Sequence, residues 1–284
     1  MSVIVTGASG QLGRLVIDQL LATVPAAEVT AVVRDPDKAG DLAVRGIALA
    51  VADYNSPESF DGLLRAGDRV LLISGSEMHR DRAAQHKAVL GAAVKADVAL
   101  FAYTSALGLQ GGPVADDHRA TEDAILASGI PYSLLRNGLY HEMATMNIPA
   151  ALEHGALVRA AGSGRLASAS RADYAAAAAA VLTGDGHEDT VYELSGDTAW
   201  SFAEFAAEVS RQSGRHVPYH AVTSEEYAGM LTAAGLPDPL PHIMAGIDAS
   251  IAAGGFAAVT GDLSRLAGRP TTPVADAIAA ALAA

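Results

Sequence analysis

Gly7, Gly10 and Gly13 stand three residues apart in VTGASGQLGRL, between an apolar β-branched run and the start of a helical pattern. Glycines at that junction suit phosphate chemistry. They permit a tight turn, let backbone N–H groups approach a pyrophosphate, and allow close packing of helix on strand, while the helix N-terminus offers free donors. A Walker-type phosphate loop is excluded, because Gly13 is followed by Arg14 and Leu15 rather than by Lys-Ser/Thr. The spacing therefore points to a dinucleotide site.

The second strand pattern, in EVTAVVRDPDKAG, ends on Arg34, about 20 residues past the glycines, where NAD-binding chains place an acidic residue on the ribose. A guanidinium there can form paired hydrogen bonds to a 2′-phosphate, which favours NADPH. Asp35 can serve as the acidic residue if the strand end slips by one, so NADH stays open, and Lys38 is either a second positive charge or an ordinary solvated lysine.

These residues need a scaffold that brings strand ends together. Val3–Val5 reads as a strand buried on both faces, and Leu12, Leu15, Val16 and Leu20 follow helical spacing. Further strands are expected at residues 29–33, 47–51, 70–73, 100–103 and 132–135, with helical segments between them. Such alternation predicts an α/β fold, a Rossmann-like doubly wound parallel sheet. Ligands gather beyond the carboxyl ends of its strands. The polar or small residues at those ends are Asp53, which can contact an adenine, Ser74, Gly75 and Ser76, Thr104 and Ser105, and the run Arg136–Gly138.

After Asn137 the texture changes. Residues 143–157, 201–214 and 224–235 read as helices, 236–241 as a rigid proline loop, and Gly254-Gly255 as a turn. The six consecutive alanines at 175–180 read as a tightly packed buried helix. The expected organisation is a dinucleotide-binding domain over 1–140, with a return strand near 190–195, and a smaller, mostly helical substrate-side portion over 141–284.

With 284 residues, half of them hydrophobic, the chain can bury a sizeable core. The absence of cysteine excludes disulfides and thiolate chemistry. Nine scattered histidines, without a His-x-x-x-His pair on a helix, argue against a metal site. The net charge of −13, with basic residues dispersed, argues against nucleic acid as a partner. No long uncharged apolar stretch or basic leader is visible, so neither membrane nor secretion is expected and a cytoplasmic location fits.

The ordered motifs GASGQLG, VVRDPDKA, ADYNSPESF, LLISGSE, FAYTS, SGIPYSLLRNGLY, SASRADYAAAA and YELSGDTAWSFAEFA resemble the NmrA-like, atypical short-chain dehydrogenase/reductases. Within them the similarity points to the bacterial, zinc-independent type 2 NAD(P)H:quinone oxidoreductases. It covers essentially the whole chain. The glycine motif is widely shared, whereas LLRNG-x-Y with SRADYA and YELSGD is specific.

The resemblance implies NADPH held by Gly7, Ala8, Ser9, Gly10, Gln11 and Leu12, by Arg34, and by Ser74, Gly75 and Ser76. Its nicotinamide side is expected to be closed by Asn137, Gly138, Leu139, Tyr140, His141 and Glu142. Ordinary members of the superfamily use a Tyr-x-x-x-Lys pair to protonate substrate oxygen. Here the tyrosine position holds Val114 and the lysine position His118.

That departure suits a quinone, which accepts hydride to give a delocalised, weakly basic anion that water can protonate. A ketone gives a strongly basic alkoxide. The expected activity is hydride transfer from NADPH to a small-molecule quinone, with His118 holding the ribose or donating a proton and Tyr140 stacking on a ring or simply packing. Two other readings stay open. One is a dinucleotide-binding redox sensor without turnover, and the other is reduction or isomerisation of another small carbonyl compound. A homodimer is compatible with either activity.

Overall fold

In the computed structural model residues 2–77, 81–108 and 113–284 are described. The strands in chain order are β1 (Val3–Thr6), β2 (Val29–Val33), β3 (Ala48–Val51), β4 (Arg69–Leu72), β5 (Leu100–Ala106), β6 (Tyr132–Asn137), β7 (Leu157–Arg159), β8 (Arg165–Leu166), β9 (Thr190–Leu194), β10 (Trp200–Ser201) and β11 (Tyr219–Ala221). Seven of them form one parallel sheet in the order β3-β2-β1-β4-β5-β6-β9. This is the doubly wound Rossmann-like sheet that the alternation of patterns predicts.

Alternation of side chains across the pleat explains why β1 is apolar throughout. Val3 and Val5 point into one buried cluster with Val16, Ile17 and Leu20 of helix α1 (Gln11–Leu20), while Ile4 points into the opposite cluster with Val89 and Leu90. Those last two lie on the long helix between β4 and β5. Counting α2 (Gly40–Val44) after α1, that helix is α3 (Arg82–Ala96), and α4 (Pro113–Ser128) follows β5. Because β1 lies between β2 and β4, the chain leaves it in opposite directions on its two sides and opens a crevice at their carboxyl ends.

Residues 143–157 do not form the single helix that their pattern predicts. They divide into α5 (His141–Thr145) and α6 (Ile148–His154), and Leu157 opens β7. Pro149 falls in the first turn of α6 and has no N–H to continue α5, and Gly155 ends α6 with φ +76°. The alanine run lies in α7 (Arg171–Thr183), whose N-terminus is closed by a Ser170–Asp173 capping box. Its small buried side chains let it pack against α1 and the sheet.

The chain then passes through β9 and the helices α8 (Phe202–Ser213), α9 (Ser224–Ala233), α10 (Leu240–Ala252), α11 (Asp262–Ala267) and α12 (Val274–Ala283). A further apolar cluster holds Ala144, Ile148, Trp200, Phe202, Phe205, Ile251 and Ile278 together. By contrast α7, β9 and α11 pack with the sheet.

Candidate functional site

A cavity of about 500 Å³ lies over the carboxyl ends of β1, β2, β4, β5 and β6. Its phosphate side is the glycine turn. Gly7 adopts φ +62°, and a Cβ on Gly13 would come within 2.4 Å of the Gly7 carbonyl oxygen, so both positions require glycine. Gly10 caps α1 without any side-chain hydrogen bond, which leaves the N–H groups of the first turn open toward the cavity. Gly7, Ser9, Gly10, Gln11 and Leu12 line it. Ala8 is fully buried and does not.

At the outer end Arg34 and Asp53 both reach the wall, joined by Tyr54, Asn55 and Glu77. Arg34 Nη1 lies 2.5 Å from Glu77 Oε1, a contact that holds the guanidinium pKa above its ordinary value. The Asp53 carboxylate accepts from the backbone and side-chain nitrogens of Asn55. Lys38 is outside the cavity, paired with Asp35 at 3.2 Å. Its neighbour explains the placement: Asp35 caps the short 3₁₀ turn Pro36–Ala39 through the Asp37 N–H, and that turn carries Lys38 into solvent.

The cavity floor contains Ser74, Gly75, Ser76 and Thr104, with Thr104 Oγ1 accepting the Ser74 N–H at 2.9 Å. Gly75 is gripped at both backbone groups. Its N–H donates to His86 Nε2 at 2.9 Å, and its carbonyl accepts from Arg82 Nε at 2.7 Å. His86 must therefore carry its proton on Nδ1, which reaches Thr121 Oγ1 at 2.9 Å. Burial, reinforced by the nearby Arg82 charge, pulls the His86 pKa down to about 3.

His118 lines the cavity but is not set up as its proton donor. Its Nε2 faces Arg82 Nη2 at 3.3 Å and must accept, because arginine only donates, and Nδ1 meets the buried Tyr103 hydroxyl at 2.7 Å. Burial and the Arg82 charge lower its pKa to about 4, so the ring is neutral near pH 7 with both nitrogens committed to protein. Val114, one turn earlier on α4, also reaches the wall.

The inner end is formed by Asn137, Gly138, Leu139 and Tyr140 with Leu107, Met143, Ile247 and Phe256. Among the described residues Asn137 Oδ1 is buried without a hydrogen-bond partner, and so is Gln85 Oε1 beneath Gly75. Arg171 lies 4.7 Å above the Tyr140 ring and Tyr174 packs edge-on against it, so one aromatic face is already covered. Burial raises the Tyr140 pKa and keeps the phenol protonated.

His141 and Glu142, expected beside it, do not line the cavity. At the start of α5 His141 turns inward, its Nδ1 meeting Ser168 Oγ at 2.8 Å and its Nε2 the Thr272 carbonyl at 2.9 Å. Glu142 accepts the Arg171 N–H at 3.0 Å. Both side chains tie α5 to later segments of the chain.

The sequence pattern gives no sign of Arg82, Gln85, Ile247 or Phe256 as lining residues. Phe256 follows the Gly254-Gly255 turn, and a glycine pair before a lone aromatic was the one available signal. Among the described residues no group of three or more His, Asp or Glu side chains is placed to hold a metal. None of the described helices is long and apolar enough to cross a membrane.

An open helix N-terminus beside glycines, an arginine at the end of β2 and a long crevice at the switch point define a dinucleotide-binding α/β protein. Residues 7–185 match the NAD(P)H-binding family, and the chain belongs to it. It is 46% identical over 276 residues to quinone oxidoreductase 2 of Escherichia coli, with 96% of each chain covered. The solved structure of an NADPH-dependent quinone oxidoreductase from Escherichia coli complexed with NADPH superposes with a TM-score of 0.95 at 45% identity, covering 99% of both chains. Citrobacter triphenylmethane reductase complexed with NADP(H) superposes with a TM-score of 0.94 at 39% identity, covering 99% of this chain and 100% of the other.

Proposed function

We propose that this protein is an NADPH-dependent oxidoreductase whose substrate is a quinone. The observation that carries the reading is a single cavity with two chemically different ends. The outer end offers Arg34 and the open α1 N-terminus, suited to a 2′-phosphate and a pyrophosphate. The inner end is walled by Leu107, Leu139, Met143, Ile247 and Phe256, suited to a flat, apolar ring. The comparisons support the same assignment, since the Escherichia coli relative and the solved Escherichia coli structure are each named a quinone oxidoreductase.

Bound NADPH supplies a hydride from its nicotinamide to the quinone. The residues of this chain then have separable tasks. The first turn of α1 and Arg34 hold the phosphates, and Ser74–Ser76, fixed through Gly75 by His86 and Arg82, forms the floor under the dinucleotide. The unpaired Asn137 Oδ1 provides an acceptor for an N–H donor at the inner end. The apolar residues there exclude water from the acceptor ring. The committed nitrogens of His118 and the raised pKa of Tyr140 leave no strong acid in the wall, which suits a weakly basic hydroquinone anion.

The test is oxidation of NADPH with a simple benzoquinone, followed by the absorbance of reduced nicotinamide beside NADH and a blank without quinone. Quinone-dependent oxidation, faster with NADPH, is expected. Tight NADPH binding without oxidation by any quinone would instead favour the sensor reading.

A further inference from the structure

Arg82 opens α3 with a side chain only 3% exposed, yet it forms part of the cavity wall. A guanidinium has five N–H donors. Nε gives its proton to the Gly75 carbonyl, Nη1 faces Asp117 Oδ2 at 3.3 Å, and Nη2 faces His118 Nε2 at 3.3 Å. Among the described residues these are its partners, so each terminal nitrogen keeps one N–H to offer.

The way this charge is held is unusual for a buried arginine. Its one carboxylate partner among the described residues, Asp117, lies at 3.3 Å and is partly exposed, and its closest partner is the Gly75 carbonyl. Dipoles orient the guanidinium, and the single, partly exposed carboxylate offsets its charge only in part. Among the described residues the cavity wall has one other arginine, Arg34, and the acidic residues Asp53 and Glu77 both act on that one. Arg82 is thus the second positive charge among the described wall residues, set in the floor that runs from Gly75 to His118.

His118 fits this arrangement as a holder. A lysine at its position would repel Arg82, whereas a neutral imidazole accepts from it.

We propose that Arg82 receives the negative charge that forms on the oxygen of the reduced substrate. The proposal rests on the quinone reading. A quinone that gains hydride becomes a monoanion with its charge on oxygen, the dinucleotide is left oxidised, and a proton from water completes the hydroquinone. Two preorganised N–H groups in a water-poor wall stabilise that oxyanion more than they stabilise the neutral quinone.

The probe is 4-nitrophenol, whose coloured phenolate imitates the product oxygen, titrated into the protein saturated with NADP⁺. The wild type is expected to bind it as phenolate, with an apparent pKa at least about one unit below the free value, a tenfold preference. Arg82→Gln is expected to abolish that shift and to lower kcat with benzoquinone about 100-fold, an effect separate from the rise in KM for NADPH that loss of the Gly75 anchor brings. Arg82→Lys keeps part of both effects.

A wild type that does not bind the phenolate, or an Arg82→Gln protein that shifts the probe as the wild type does, overturns the proposal. So does a rise in KM for NADPH at unchanged kcat, which would place Arg82 in coenzyme binding alone. If Arg82→Gln does not fold, Arg82→Lys carries the test, and a bound-probe pKa identical to that of the wild type overturns the proposal. A wild type that shifts the probe but reduces no quinone refutes the substrate reading while upholding the anion site.

Discussion

A Cβ on Gly13 would stand 2.4 Å from the carbonyl oxygen of Gly7, closer than any side chain tolerates. The two residues are thereby locked into one turn, in which α1 begins as close to β1 as the backbone allows. Gly13→Ala is expected to push the first turn of α1 away from that carbonyl and to cost about 1–3 kcal/mol as an overpacked contact. Denaturant unfolding measures the loss, and titration with NADPH should show weaker binding in the fraction that remains folded. Unchanged stability and affinity would show that the turn adapts at no cost.

Arg34 separates coenzymes by a group that only one of them has. If its guanidinium holds the 2′-phosphate, Arg34→Ala removes a charged hydrogen-bonding pair of about 1.5–3 kcal/mol, so KM for NADPH is expected to rise about 10- to 100-fold. KM for NADH should change little, since Arg34 otherwise pairs with Glu77 at a partly exposed site. An unaltered KM for NADPH would place the phosphate elsewhere.

The contrast between Arg34 and Arg82 shows what a sequence exposes and what it hides. Arg34 follows a β-branched strand at a spacing fixed by the fold, so local pattern alone marks it. Arg82, His86, Tyr103 and His118 meet only because α3, β5 and α4 pack side by side, and nothing in their spacing announces the contact. Adjacency misleads in the other direction at Tyr140 and His141: the first lines the cavity, and the helix that starts after it turns the second toward Ser168 and Thr272. Strand positions were legible because two-sided burial demands continuous apolar runs. The break between α5 and α6 was missed because apolar spacing continues across Pro149.

The two floor histidines make stability depend on mild acid. Both are held neutral, His86 with a pKa of about 3 and His118 of about 4, against about 6.5 in an unfolded chain. The unfolded state then binds more protons between those values, so the contribution is fully present above pH 6.5 and is lost as pH falls. Each histidine is expected to withdraw up to about 1.4 kcal/mol per pH unit once well below 6.5. His141, also buried, shifts in the same direction. Urea unfolding at pH 7 and pH 5 should therefore show a clear drop, shallower in His86→Gln. An equal slope in that variant would mean that His86 does not stay neutral in the fold.

Behind the inner end, Asp248 on α10 is fully buried and forms an ion pair with Arg159 on β7, while its neighbour Ile247 lines the cavity. One Asp248 oxygen accepts from Arg159 Nε at 2.9 Å and from the Ala160 N–H at 2.8 Å, and the guanidinium rests 4.4 Å from the centre of the Phe202 ring. Removing one partner leaves the other charge buried without compensation, so Asp248→Ala is expected to cost about 3–5 kcal/mol. Replacing both, as Arg159→Met with Asp248→Leu, should restore most of that loss, because the desolvation penalty disappears with the charges. If the pair serves to seat α10, the double variant should regain stability yet bind quinone less well through a displaced Ile247. Denaturant midpoints and KM for the quinone, measured on the single and the double variant, separate the two contributions. Full recovery of both would confine the pair's role to packing.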